Sequence, residues 1–182
     1  MNKLQLKDVR RQFKFTINKG VSFDGIELIN SKHPLNMDFE VYLPSIGMNL
    51  QRPLCWSLNQ KQEFIMSILK GNPIPKISMI CHKENGNEYL TAKWEVIDGK
   101  QRLSTYISFC KGEFPLKSGH FMDDLDNDCK KEIFGFYFYM DKAYSYWDMP
   151  ISDADKIAWF AQINFTCTPQ DEQHLLKLTG IL

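Results

Sequence analysis

The run Val96-Ile97-Asp98-Gly99-Lys100-Gln101-Arg102 takes an apolar stretch through a glycine into three consecutive side chains that donate hydrogen bonds, directly ahead of a helical pattern. The first amide hydrogens of a helix have no intrahelical acceptor, and the dipole places roughly half a positive charge at that end, so a strand-to-helix turn is a ready cradle for an anion. Gly99 lets an anion approach the backbone without a side chain in the way. Arg102 offers a bidentate clamp for phosphate, Lys100 a point charge, and Gln101 a neutral donor and acceptor. Thr105, about one helical turn further on, reaches the same space. The same residues also have a purely structural reading, with Asp98 as a helix cap, Gly99 as a turn former and Arg102 paired to a nearby carboxylate; taken alone, they leave both open. Gln51-Arg52-Pro53 is a second group of interest, because the proline denies helix to its neighbour. It reads either as a surface turn or as part of a site, and the nearby Trp56 as a core plug rather than a platform for stacking bases.

Several other chemistries find no support. A nucleoside-triphosphate P-loop needs glycine where Trp94 stands and Ser or Thr where Gln101 stands, and no Gly-x-Gly-x-x-Gly occurs. No nucleophile elbow is present, and His33, His82, His120 and His174 are scattered, so neither a hydrolase triad nor a metal cluster can be assembled. Cys55, Cys81, Cys110, Cys129 and Cys167 are odd in number and never form Cys-x-x-Cys, which argues against a disulfide framework and a zinc site and for a reducing cytosol. Lys plus Arg total 22 and Asp plus Glu total 22, so no global field draws the chain to nucleic acid or lipid. The local exception is Lys3, Lys7, Arg10, Arg11, Lys14 and Lys19, which face only Asp8 and read as a solvated basic arm rather than a dedicated DNA contact. The beginning lacks a signal-peptide core, and Ile133 to Met140 is far too short to span a bilayer, so a cytoplasmic protein without membrane contact is expected.

The elements that must position these residues are legible in part. A chain of 182 residues with 43% hydrophobic content can bury one sizeable core. Residues 1–40 show no clean period and are read as an N-terminal extension with short strands, ahead of one domain over 41–182. Glu40 to Leu43 predicts a strand ending at Pro44. Ser57 and Gln60 predict a capping box for a helix with Phe64, Ile65, Ile68 and Leu69 on its apolar face, stopped by Gly71, Pro73 and Pro75. Ile77, Met79 and Cys81 alternate as in a strand, Asn85-Gly86 suits a tight hairpin, and a second strand from about Tyr89 to Ile97 empties into Asp98-Gly99. Leu103, Tyr106, Ile107 and Cys110 then recur at helical spacing until Gly112. Leu125, Cys129 and Ile133 predict a further helix, and the acidic residues Asp123, Asp124, Asp126 and Asp128 ahead of it fit a helix start better than a metal site. Phe136 to Met140 predicts a strand, Ser152 with Asp155 opens a helix carrying Ile157, Phe160, Ala161 and Ile163, and Thr168-Pro169 begins a last helix ending near Gly180. The whole is an α+β mixture.

Together these stretches resemble the N-terminal domain family of GmrSD-type restriction endonucleases, which has a ParB/sulfiredoxin-like fold: a mixed sheet with packed helices and, here, a helical C-terminal end. The match rests on Leu50 to Trp56 followed by Lys61 to Pro75, on Val96 to Thr105, and on Phe160-Ala161-Gln162-Ile163-Asn164. The family's Asp-Gly-Gln-Gln-Arg appears as Asp98-Gly99-Lys100-Gln101-Arg102. The resemblance implies nucleotide binding and hydrolysis in DNA restriction, counter-defence or another DNA transaction, with Asp98, Gln101 and Arg102 as catalytic residues. It implies Gln51, Arg52, Gly99, Lys100 and Thr105 as nucleotide contacts, Gln51 and Arg52 lying on an adjoining strand. A nucleoside triphosphate with Mg2+ is the implied ligand; DNA and a separate nuclease subunit or assembly partner are the implied partners. Lys100 replaces a glutamine of the pattern, and Gln162 stands where the family commonly has arginine. No His/Asn metal nuclease site occurs in the sequence, so a self-sufficient restriction enzyme is not expected, and a non-catalytic DNA- or protein-binding module is the alternative.

Overall fold

In a computed structural model, residues 13–29, 36–83, 92–146 and 148–165 are described. The strands are β1 (Ile17–Asp24), β2 (Asn36–Asp38), β3 (Tyr42–Leu43), β4 (Met48–Asn49), β5 (Ile77–Lys83), β6 (Lys93–Asp98) and β7 (Tyr137–Tyr146). The helices are α1 (Gly25–Ile29), α2 (Leu58–Leu69), α3 (Lys100–Cys110), α4 (Asn127–Phe134) and α5 (Asp153–Phe165), with a 3-10 turn at Met122–Asp124. Among the described residues, none of the helices is long and apolar enough to cross a membrane.

Five strands form one mixed sheet in the order β1-β7-β5-β6-β2, and β3 and β4 make a separate two-stranded ribbon. β5 runs antiparallel to β6 and parallel to β7, while β1 pairs antiparallel with β7 and β2 parallel with β6. Ile77, Met79 and Cys81 of β5 join Trp94, Val96, Phe138 and Met140 on one face, under Phe64, Ile65 and Ile68 of α2 and Leu103, Tyr106 and Phe109 of α3. Ile80, Ile97 and Ala143 point to the other face, where Val41, Leu43 and Leu50 pack beside Ile157, Trp159 and Phe160 of α5. The sheet is therefore covered on both sides. For that reason β5 is buried at every position from Ile77 to Cys81, rather than only at its apolar alternates.

Most of the expected elements form. Ser57 Oγ accepts from Gln60 N at 3.3 Å, Gln60 Oε1 accepts from Ser57 N at 2.9 Å, and α2 ends at Gly71 with Asn72 N donating to Ser67 O at 2.9 Å, a Schellman-type closure. Asp126, not the acidic run as a whole, caps α4 by accepting from Cys129 N at 2.7 Å. Two expectations need correction. The strand predicted over Glu40 to Leu43 shrinks to Tyr42–Leu43, because Val41 adopts φ 43°, a left-handed conformation that breaks extension. The strand predicted to end at Met140 continues to Tyr146, with Asp141 next to Lys76 Nζ at 2.6 Å and the parallel pairing to β5 running on to Lys83. The short strands expected before residue 41 include β1 and β2, which lie in the same sheet as the motif strand β6. The Asn85-Gly86 turn, Tyr89 and the helix expected from Thr168 lie outside the described residues.

Candidate functional site

The end of β6 departs from regular pairing where the motif begins. Met79 pairs with Val96 and Ser78 with Asp98, so Ile97 is an extra residue on β6, a bulge of the kind that re-aims the next side chain. Gly99 follows with φ 108° and ψ 4°, and it is the N-cap of α3. A Cβ there would lie 2.4 Å from Ile77 Cγ2, so both the backbone conformation and the close approach to β5 require glycine. On its other flank α3 is fixed by the core, where Tyr106 donates to Ile133 O at 2.8 Å and packs edge-on to Phe138.

Asp98 does not cap this helix. Among the described residues no side chain caps the α3 N-terminus, because Gly99 has none and Asp98 Oδ2 instead accepts from Arg102 Nη2 at 2.7 Å. The first bond of the helix runs from Leu103 N to Gly99 O, which leaves the amides of Lys100, Gln101 and Arg102 without intrahelical acceptors. Arg102 Nη2 also donates to Lys76 O at 3.1 Å, while its Nε is buried without a hydrogen-bond partner among the described residues. Asp98 and Arg102 thus form a half-sequestered pair at the mouth of a cavity of about 160 Å³, lined by Gln51, Arg52, Trp56 and residues Asp98 to Arg102.

The remaining motif side chains are more committed to the protein than the sequence suggested. Lys100 was expected to offer a free charge, but its side chain is 3% exposed and its Nζ lies 2.7 Å from Glu40 Oε1. Glu40 reaches it from the strained turn at Val41, which Asp38 Oδ1 holds by accepting from Glu40 N at 2.9 Å and Val41 N at 3.0 Å. Gln101 Oε1 accepts from Cys55 N at 3.2 Å and Trp56 N at 3.3 Å, and its Nε2 donates to Pro53 O at 3.0 Å, so Gln101 braces the segment opposite the motif. Replacing it with alanine removes three hydrogen bonds of an exposed loop; limited proteolysis is expected to cut faster between Pro53 and Trp56, with a stability loss of about 1–3 kcal/mol.

Gln51 and Arg52 do not lie on a strand: they follow β4 in an irregular segment that Pro53 keeps out of the ladder. Gln51 Nε2 donates to Val96 O, which ties the segment to β6. Arg52 lines the cavity and, among the described residues, has no ion-pair partner. Trp56 packs against Phe64, with centroids 5.5 Å apart, yet also lines the cavity, so it is both plug and wall. Thr105 is buried and is not part of the lining; Gln162 is exposed on α5 and is not part of it either. Glu40 and the Lys76 carbonyl are contributors that the sequence reading missed. Neither carries a local signal, since both reach the site through tertiary contacts.

The fold and site define an α+β domain with a mixed sheet in which an Asp-Gly-x-Gln-Arg junction and a Gln-Arg-Pro segment enclose one polar cavity. The family described as GmrSD restriction endonuclease, N-terminal domain, matches residues 27–171, and the chain belongs to it. The match contains every lining residue of the cavity. No curated protein matches the chain, and no solved structure does.

Proposed function

We propose that the cavity binds the phosphate end of a nucleotide and that the domain acts in DNA restriction, counter-defence or another DNA transaction of a bacterium or its virus. The observation that carries this reading is Arg52, a cation on the cavity wall with no ion pair among the described residues, facing a helix N-terminus that no side chain caps. Lys100 and Arg102 are already neutralised by Glu40 and Asp98, so Arg52 and the α3 amides supply the attraction for an anion. Volume points to the phosphates rather than the whole ligand: about 160 Å³ is well below the roughly 300–1,000 Å³ that encloses a drug-sized molecule. Base and sugar would then extend past Arg52 and Trp56.

Hydrolysis at this site would use Arg102 and the amides to stabilise charge on the transferred phosphoryl, and Asp98 to orient water. Mg2+ fits on one count: it commonly takes one or two carboxylates and completes its shell with phosphates and water, and Asp98 is the carboxylate on the cavity wall. DNA and a separate nuclease subunit are the partners that family membership suggests. Isothermal calorimetry with ATP and with GTP, each with Mg2+, is expected to show binding that Arg52→Ala weakens at least tenfold without a change in melting temperature. Absence of binding, or binding that Arg52→Ala leaves intact, overturns the proposal. A second reading, a non-catalytic DNA- or protein-binding module, is favoured by the commitment of Asp98, Lys100 and Gln101 to protein partners. Steady phosphate release from bound nucleotide excludes it.

A further inference from the structure

Pro73 and Pro75 decide where the central ladder begins. The pairing of β5 with β7 starts at Ile77 opposite Met140; carried back, the same register would set Pro75 opposite Phe138 and Pro73 opposite Phe136. Proline has no N–H to give to a ladder. The chain therefore parts from β7 here, leaving a groove of about 120 Å³ between Pro73, Ile74 and Pro75 on one side and Phe136 to Tyr139 on the other. β1 holds the far edge of the same stretch, with Ser22 opposite Tyr139 and Asp24 opposite Tyr137. Directly opposed residues of an antiparallel pair share a face, and this face lies away from Phe23 and Phe138, whose rings stack in the core. α5 and the β3-β4 ribbon cover β7 further along, at Ala143. Tyr137 and Tyr139 are left 53% and 60% exposed. Among the described residues, no other ring and no cation lies over either of them.

The charge beside these rings is negative. The carboxylate of Asp24, and then the hydrogen bond it shares with Tyr137, hold that phenol above its ordinary value, while burial and then Asp24 raise Glu27 of α1. Neither carboxylate has a basic partner among the described residues. Uncompensated carboxylates repel a phosphate, whether it belongs to nucleic acid or to lipid. Ring faces bordered by them suit an ammonium or guanidinium group, and lysine and arginine also carry a methylene stem that lies along apolar surface while the head stays in water. The space fits one such side chain rather than a whole ligand, since a cavity of about 150 Å³ takes up a single benzene. We infer that this groove docks an extended segment of a partner protein through a lysine or arginine, its stem between the prolines and Tyr139 and its charge at Asp24 and Glu27. The groove shares no lining residue with the motif cavity, and its use does not depend on nucleotide binding there.

An NMR titration of the isotope-labelled full chain with the peptide Gly-Arg-Gly-Arg-Gly tests this. The amide signals of Ile74, Tyr137 and Tyr139 are expected to move, and those of Gly99 to Arg102 to stay. Tyr139→Ala should weaken binding about two- to fivefold, the size of one exposed cation–π contact, and Tyr139→Phe, which keeps the ring, should bind like the wild type. Asp24→Asn combined with Glu27→Gln should weaken it about fivefold and flatten its salt dependence. The same peptide with glutamate in place of arginine should leave the groove signals unmoved. Arg52→Ala should leave the response intact, so the groove and the cavity fail independently. Absence of shifts at the groove, equal response to the glutamate peptide, or wild-type affinity in both the folded Tyr139→Ala and the carboxylate variants overturns the inference. Sedimentation that shows a dimer of the free chain, lost in Tyr139→Ala, also overturns it, because the occupant is then a second copy.

Discussion

Gly99→Ala is expected to cost about 2–6 kcal/mol and to abolish anion binding at the cavity. Two independent penalties combine. An alanine held at φ 108° is strained by about 1–3 kcal/mol, and its Cβ would press into Ile77 at 2.4 Å from Cγ2 and 2.9 Å from Cβ, an overpacking worth roughly another 1–3 kcal/mol. Relief of that clash requires β5 and α3 to separate, which displaces the Lys100 to Arg102 amides and the Lys76 carbonyl that holds Arg102. Urea denaturation should show a lower midpoint at an unchanged slope. Gly112→Ala at the opposite end of α3 is the internal control: its φ is 71° but nothing lies within 4 Å of the new Cβ, so only strain of about 1 kcal/mol should appear. Ile77→Ala combined with Gly99→Ala should cost less than the two changes summed, because the clash is shared. Equal losses at Gly99 and Gly112 would mean that the strand does not press against the junction.

The second large effect lies on the other face of the sheet, where α5 docks onto the motif strand through a buried charge. Lys156 Nζ lies 2.7 Å from Glu95 Oε2 and donates to Oε1 at 3.0 Å, with both side chains 8% exposed. His82 Nε2 is 3.0 Å from the same Oε2, within ion-pair distance although poorly aligned for a hydrogen bond. Lys156→Met leaves a buried carboxylate with His82 alone beside it and is expected to cost about 3–5 kcal/mol, whereas Glu95→Leu with Lys156→Met should recover most of that loss, since apolar replacement of a buried pair is often neutral. Thermal melts of the single and double variants decide it; a double variant as weak as the single would show that packing, not charge, is at stake.

The pair also sets a pH dependence. Burial by itself raises the Glu95 carboxyl, but the adjacent His82 and Lys156 outweigh it and hold the group below its ordinary 4.5. A depressed folded value means that the stabilisation is complete above the unfolded value and is lost as pH falls through the folded one. Acid titration of the wild type should therefore lower the melting temperature below about pH 4.5 more steeply than in the double variant, which lacks the group. Parallel curves would contradict the assignment.

Local signals were legible where one segment satisfied itself. The Ser57 and Gln60 box, the apolar stripe of Phe64, Ile65 and Ile68, and the spacing of Leu103 and Tyr106 all involve partners a few residues apart, and each forms as read. Where distant segments meet, sequence reasoning ran out. Asp141 and Lys142 look like the end of a strand until Lys76 and the neighbouring β5 ladder are in place. Asp98 looks like a cap until Arg102, one turn away, takes its oxygen.

The same division describes the site. Sequence by itself determined which residues gather at the junction, because a strand, a glycine and a helix start in succession must expose amides at one point, whatever surrounds them. Only the tertiary structure decided which side chains remain available there. Lys100 is neutralised by Glu40 across 60 positions and Gln101 is spent bracing residues 53–56, while Arg52 is left on the wall. Charge compensation depends on distance in space, and that distance is set by the two-sided packing of the sheet.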